Sequence, residues 1–286
     1  MSMHIITDSA CDITQAEAEE LGITVIPLKS IFGTVEYLDG VDIHTDDFYE
    51  KLETFDGLPS TSQASPLQFE EAFRSALETH DEVLCLCLSA KLSGTFQSAY
   101  IAQNALEPEL QQRVKLVDTI NVTLGEQVLV RLALKLKGEG LSADQIANVI
   151  DDRKHHVRVL GLLDTLEYLK RGGRISPAVA AVGGLLSIKP VITVAEGELE
   201  MIDKARGFKN GKTIMNKHVK KWGIDYDLPM VFAYSGTSDA EVINYKAENN
   251  ELFESCGSNV SVCAVGPVIG THVGPGAIAV AFVDKQ

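Results

Sequence analysis

A chain of 286 residues, 45% apolar and 23% charged, has the composition of a globular protein and the length for two domains, or one large one, around a substantial core. Its net charge of −15 argues against sequence-independent nucleic-acid binding, which relies on lysine and arginine to neutralise phosphates, and disfavours general attraction to an anionic membrane. Five cysteines without a CxxC pair read as buried thiols in a reducing compartment rather than as a disulfide framework.

The opening "MSMHIITDSACD" lacks the charged and apolar regions of a signal peptide, and the sequence reads as that of a soluble cytoplasmic protein. Within it "MHIITD" is a short apolar strand ending at Asp8-Ser9, and "TQAEAEELG" is a helix closed by Gly22. "ITVIPLKSIF" is expected as one second strand. "TDDFYEKLET" is helical, capped by Thr45 or Asp46, and "SPLQFEEAFRSALETH" is an amphipathic helix with Pro66 near its start. A strand over 82–88, a helix over 94–105, the strand "VKLVDT" and a helix over 124–137 follow. "SADQIANVIDDRKHH", with Ser142 as cap, and the strand "VRVLGLLD" complete this half. Strands alternating with helices predict a parallel sheet covered on both faces, an α/β domain over residues 1–158.

The pattern changes after Arg158. "TLEYLKRGG" is a helix ended by paired glycines, and "SPAVAAVGGLLSI" is a smooth helix of small residues. Such a helix leaves volume that leucines would fill, so it lines a cavity or packs closely in an ordinary core. "KPVITVAEGELEMIDKA" is a hairpin turning at Glu196-Gly197. "GKTIMNKHVKKW" is a helix, "MVFAYS" a strand and "SDAEVINYKAENN" a helix. Val262 to Phe282 is uncharged and long enough to span a bilayer, but its glycines, prolines and central His272 fit two buried strands joined by a Gly/Pro loop. A second, α+β domain is expected over residues 159–286.

Several chemistries fail on the residues. "GFKNGKT" has three residues between its glycines where a phosphate-binding P-loop needs four, and no GxGxxG follows a strand. The seven histidines are mostly isolated, and the adjacent His155 and His156 diverge by about 100° on a helix, so zinc is not expected. Ser93 is a candidate nucleophile, although no G-x-S-x-G elbow surrounds it.

"LSAKLSGTFQSAYIAQNA", 88–105, follows an apolar strand and contains no acid. Its helix begins around Ser93-Gly94-Thr95, gathering backbone N–H groups and two hydroxyls where an anion could be held. "YSGTSDAE", 234–241, repeats the Ser-Gly-Thr feature, and helix capping alone can produce both copies.

Six stretches occur together: "ITDSACD" (6–12), "STSQASP" (60–66), "LSGTFQSA" (92–99), "LKRGGRIS" (169–176), "LLSIKPVI" (185–192) and "IGTHVGPGA" (269–277). In this order, over nearly the whole chain, they resemble the DegV family of bacterial fatty-acid-binding proteins. One departure is Ala64, where the family commonly has proline; it frees the backbone somewhat but removes no polar group.

The resemblance implies two domains with one long-chain fatty acid in a tunnel between them. It places the carboxylate on Thr61 and Ser93, with His272 near the same head group. Ser62, Gly94, Thr95 and Arg174 would stand around them, Arg174 either orienting the helix after its turn or setting the head-group field. Members need no cofactor and serve as the lipid-binding component of a fatty acid kinase, presenting the acid to an ATP-using partner that makes an acyl phosphate. Transient membrane exchange, without stable insertion, is compatible with that role. Arg206 matches an arginine on the family's kinase-facing surface, and the run Lys204–Lys221 around it carries seven basic residues and no acid. On this reading Arg206, with Lys204 and Lys209, docks an acidic kinase face near the tunnel mouth. The alternative is an acyl or phosphoryl transferase, or a hydrolase, that uses Ser93.

Physical chemistry agrees with the implied site. A carboxylate at a helix N-terminus meets backbone donors and the positive end of the dipole. Two hydroxyls add donors without burying a cation, His272 can donate or go neutral near pH 7, and Gly274 and Gly276 let the backbone approach a ligand. A sixteen-carbon tail offers on the order of 10 kcal/mol of gross transfer free energy, much of it offset by ordering the chain and by the competing membrane state.

Overall fold

In the computed structural model, which describes residues 2–176 and 188–285, the chain enters through β1 (Met3–Asp8) and returns by a short helix to β2 (Ile23–Ile26), parallel to it. There it leaves that sheet. β3 (Lys29–Phe32), β4 (Val35–Leu38) and β5 (Ser60–Ser62) form a separate antiparallel sheet in the order β4-β3-β5. "ITVIPLKSIF" is therefore two strands in two sheets. Pro27 has no N–H to continue the ladder, and the Leu28 amide donates to Ser9 Oγ at 3.1 Å instead.

β6 (Glu82–Cys87) and β7 (Val114–Asp118) complete the four-stranded parallel sheet, in the order β2-β1-β6-β7. β6 is apolar on both faces because helices cover both. Pro66–Thr79 packs with Thr95–Ala105, and Leu124–Gly138 with Ala143–Arg153. Ser142 caps the last of these through a reciprocal bond with Gln145. The helix Thr45–Thr54 departs from expectation: His44 occupies its cap position and makes no side-chain cap bond.

The second half is built on a six-stranded mixed sheet. β8 (Val157–Leu162) lies beside β9 (Ile188–Ala195), which makes the expected hairpin with β10 (Glu198–Arg206) across Glu196-Gly197. β11 (Met230–Tyr234) and β12 (Val260–Ala264) run parallel, and β13 (Ile278–Val283) inserts between β8 and β11, antiparallel to both. The order is β10-β9-β8-β13-β11-β12. The uncharged 262–282 stretch thus holds two strands that are not neighbours, and the expected loop contains the helix Pro267–Val273, with Pro267 at its first position. Among the described residues, no helix is long and apolar enough to cross a membrane. The small-residue segment 177–187 lies outside the described residues.

Leu124–Gly138 packs on β1 and β6 and also on β8, β11 and β13, so it is shared by the two sheets. Every residue from Leu124 to Val130 is buried, as a helix with protein on both sides requires. One apolar core therefore runs from Ile5 and Val83 through Val128 to Val231 and Ala281. Phe232, Tyr245 and Phe253 fill a second core on the outer face of the large sheet. Cys11, Cys85, Cys87 and Cys256 are buried thiols, and Cys263 is half-buried.

Candidate functional site

Between the two sheets lies a cavity of about 360 Å³ with largely apolar walls. Strand alternation puts Val159 and Gly161 of β8 on its floor, with Ile192 and Ala279 as the cross-strand partners of Gly161. Glycine and alanine at the centre of the sheet leave the space that branched residues would occupy. On the opposite side Val122, Thr123 and Leu124 line the cavity as the shared helix begins.

Thr61, Ser62, Ser93, Gly94, Arg174 and His272 all line this cavity, although they come from four separate stretches of chain. Thr61 is placed by β5, where it pairs with Ser30 of β3, and its Oγ1 lies 2.9 Å from Nε2 of His272. His272 is in the last turn of Pro267–Val273. Its ring packs so closely on Gly172 that a Cβ there would overlap Nδ1. Nδ1 is buried and has no hydrogen-bond partner among the described residues.

Burial, with a smaller contribution from the Arg174 charge, lowers the His272 pKa to about 4. The imidazole is therefore neutral at pH 7 and does not titrate there, contrary to the expectation from its reference value. With the proton on Nε2 the ring donates to Thr61 Oγ1, and the Thr61 hydroxyl hydrogen is then free to point at an anion.

The helix after β6 starts at Thr95, with Gly94 as its cap residue and no side-chain cap. Ser93 Oγ lies 2.9 Å from Thr95 Oγ1 and accepts from the Thr95 amide at 3.3 Å. Thr95 does not line the cavity; it is fully buried and supports Ser93 from behind. Gln63, to which sequence reasoning assigned no role, also lines the cavity and donates to Ser98 Oγ at 3.0 Å. Any Cβ at Gly94 would overlap the Gln63 amide, so this glycine permits the two loops to meet. The signal was its place two residues after Thr61 in "TSQ".

Arg174 donates to the Gly172 carbonyl at 2.6 Å and to the Leu92 carbonyl at 3.3 Å, tying two cavity loops while its charge stands beside the imidazole. Gly274 and Gly276 do not line the cavity: Gly274 packs against Tyr168, and the Gly276 amide bonds Ser235. Lys204, Arg206 and Lys209 are exposed and outside the cavity. Arg206 stands at the far end of β10 from cavity-lining Leu199, roughly 20 Å along the strand. Among the described residues, the Ser93 hydroxyl bonds neither an imidazole nor a carboxylate, so the geometry gives the nucleophile reading no support. Among the described residues, no cluster of three or more histidine, cysteine or acidic side chains could hold a metal.

Two α/β layers enclose an apolar cavity with hydroxyls and a neutral imidazole gathered on its wall, the form that small-molecule pockets take. Over residues 2–285 the chain matches the family described as "Uncharacterised protein, DegV family", and it belongs to that family. A DegV domain-containing protein of Caldanaerobacter subterraneus subsp. tengcongensis is 34% identical over 288 residues, covering 98% of each chain. Among solved structures, a Thermus thermophilus DegV family protein described by its fatty-acid binding superposes with a TM-score of 0.88 at 34% identity, covering 100% of both chains. The Streptococcus pneumoniae Fatty Acid Kinase (Fak) B3 protein, loaded with linoleic acid, shares the fold at a TM-score of 0.86, with 21% identity and full coverage of both chains.

Proposed function

We propose that this protein binds one long-chain fatty acid non-covalently and presents its carboxylate to a fatty acid kinase, without catalysing a reaction itself. The observation that carries the reading is the apolar cavity between the sheets, on which Thr61, Ser93 and His272 converge. Residues 1–158 supply the two hydroxyls and residues 159–286 supply the imidazole, so the acid is held between the halves. Thr61 and Ser93 donate to the carboxylate, and His272 acts by orienting Thr61. The tail lies along Gly161 and Ala279. The fatty-acid-binding relative from Thermus thermophilus supports this ligand class.

Purified protein is expected to release about one fatty acid per chain on organic extraction, read by mass spectrometry. Extraction of none, together with no binding of added palmitate or oleate, would overturn the reading.

The kinase role draws support from the family motifs and from the fold shared with the pneumococcal protein. A further support is that, among the described residues, the side chains of Lys204, Arg206 and Lys209 are exposed and form no ion pair. A standard interface covers about 800 Å² per partner, wide enough to reach from the cavity to this end of β10. The acyl phosphate is then made in the cytoplasm by the partner. Arg206→Ala should leave lipid affinity unchanged, lower the rate of acyl-phosphate formation in a reconstituted system and weaken its salt dependence. If lipid affinity falls in parallel, the residue acts on the cavity; if neither changes, the basic run is a solvated surface.

A further inference from the structure

Asp12, at the end of the turn after β1, is buried in the left-handed backbone region, with φ 58°. Its Oδ1 accepts from the Gly266 amide at 2.9 Å, and its Oδ2 accepts from the Thr123 hydroxyl. Both partners belong to the cavity's architecture. Gly266 is the cap residue of Pro267–Val273, the helix that carries His272. Thr123 lines the cavity and is itself left-handed at φ 51°, a conformation rare for a β-branched residue, with its amide bonded to the Ala10 carbonyl at 2.8 Å. Asp39, also buried, takes the next free amide of the same helix, Val268, at 3.3 Å.

A two-turn helix has too few internal hydrogen bonds to hold itself in place and depends on partners for its first amides. Here no side chain within the helix or its cap residue supplies them. Two carboxyl groups do so from positions more than two hundred residues earlier. Gly266 lies about 9 Å along the helix axis from His272, so a shift at the start of the helix reaches the imidazole as a rigid displacement. The Nε2 to Thr61 bond at 2.9 Å would not survive a movement of about 1 Å.

We propose that Asp12 and Asp39 are positioning residues for the head-group site: together they seat the helix Pro267–Val273 so that His272 meets Thr61, and Asp12 joins that helix to Thr123 on the cavity wall. Neither aspartate touches the ligand. The role deepens the fatty-acid reading and rests on it only for the affinity readout.

The test combines oleate titration with the ¹⁵N resonances of the His272 imidazole, thermal unfolding serving as a check on folding. Asp12→Ala should lower oleate affinity at least tenfold and move the His272 resonances. Asp12→Asn keeps an oxygen for the Gly266 amide and should restore affinity to within about threefold. Asp39→Ala should shift the resonances in the same sense with a smaller loss of affinity, and it carries the test if Asp12→Ala does not fold. Unmoved His272 resonances in folded Asp12→Ala, or in Asp39→Ala where the former does not fold, overturn the proposal even if stability drops. If wild-type protein binds no oleate, the fatty-acid reading fails, while the resonances still report whether the aspartates position His272.

Discussion

Thr61→Ala combined with Ser93→Ala should weaken oleate binding at least thirtyfold while leaving the protein folded. A hydrogen bond to a charged group contributes about 1–3 kcal/mol, and about 1.4 kcal/mol is tenfold in affinity. The two hydroxyls share one carboxylate, so their effects need not add. The single variants are expected to differ. Losing Thr61 also removes the hydrogen bond to Nε2 of a buried imidazole whose Nδ1 has no partner among the described residues. Losing Ser93 leaves the Thr95 hydroxyl nearby as a partial substitute. Thr61→Ala is therefore the more damaging of the two. Unchanged affinity in the double variant would place the carboxylate elsewhere.

Ala279→Phe should separate fatty acids by length. Ala279 lies on the cavity floor opposite Gly161, where an aromatic ring would occupy space assigned to the acyl chain. Each methylene kept out of the cavity forfeits about 0.8 kcal/mol of transfer free energy; excluding six of them removes about 5 kcal/mol gross by the same scale. Palmitate and oleate should bind at least a hundredfold more weakly, and decanoate should be nearly unaffected. The lipid-free variant should unfold at the same or a higher temperature, because the ring fills space rather than emptying it. Equal losses for decanoate and palmitate would mean that the chain does not extend past Ala279.

These expectations rest on residues that differ in how legible they were. Thr61, Ser93 and His272 were all singled out on the sequence, through motifs in a fixed order. Their meeting was implied only by family resemblance, because 211 residues separate Thr61 from His272. Arg174 had two open readings, and the helix that one of them needs lies outside the described residues; its bonds go to the Gly172 and Leu92 carbonyls. Thr95 was placed around the site without a choice between lining the pocket and backing it, and it stands behind Ser93. Gln63 was not legible as a site residue, since a glutamine in a loop has no local signature for the Ser98 hydroxyl it reaches. Asp12 and Asp39 were invisible as positioning residues, because their partners are backbone amides on a helix not expected to exist.

What the sequence determined by itself was local. Apolar periodicity, capping by Ser142, Pro66 near a helix start and the Glu196-Gly197 turn act within a few residues, and those elements formed where they were expected. Alternating strands and helices were enough for the four-stranded parallel sheet, since its crossovers need intervening helices. Tertiary structure decided which sheet each strand joined. It broke "ITVIPLKSIF" at Pro27, where the missing N–H and the Ser9 hydroxyl favoured departure. It also made a helix of Pro267–Val273, with buried carboxyl groups and not local propensity receiving its first amides. Desolvation likewise took His272 out of the neutral titration range, a property set by what surrounds the ring and not by its neighbours in sequence.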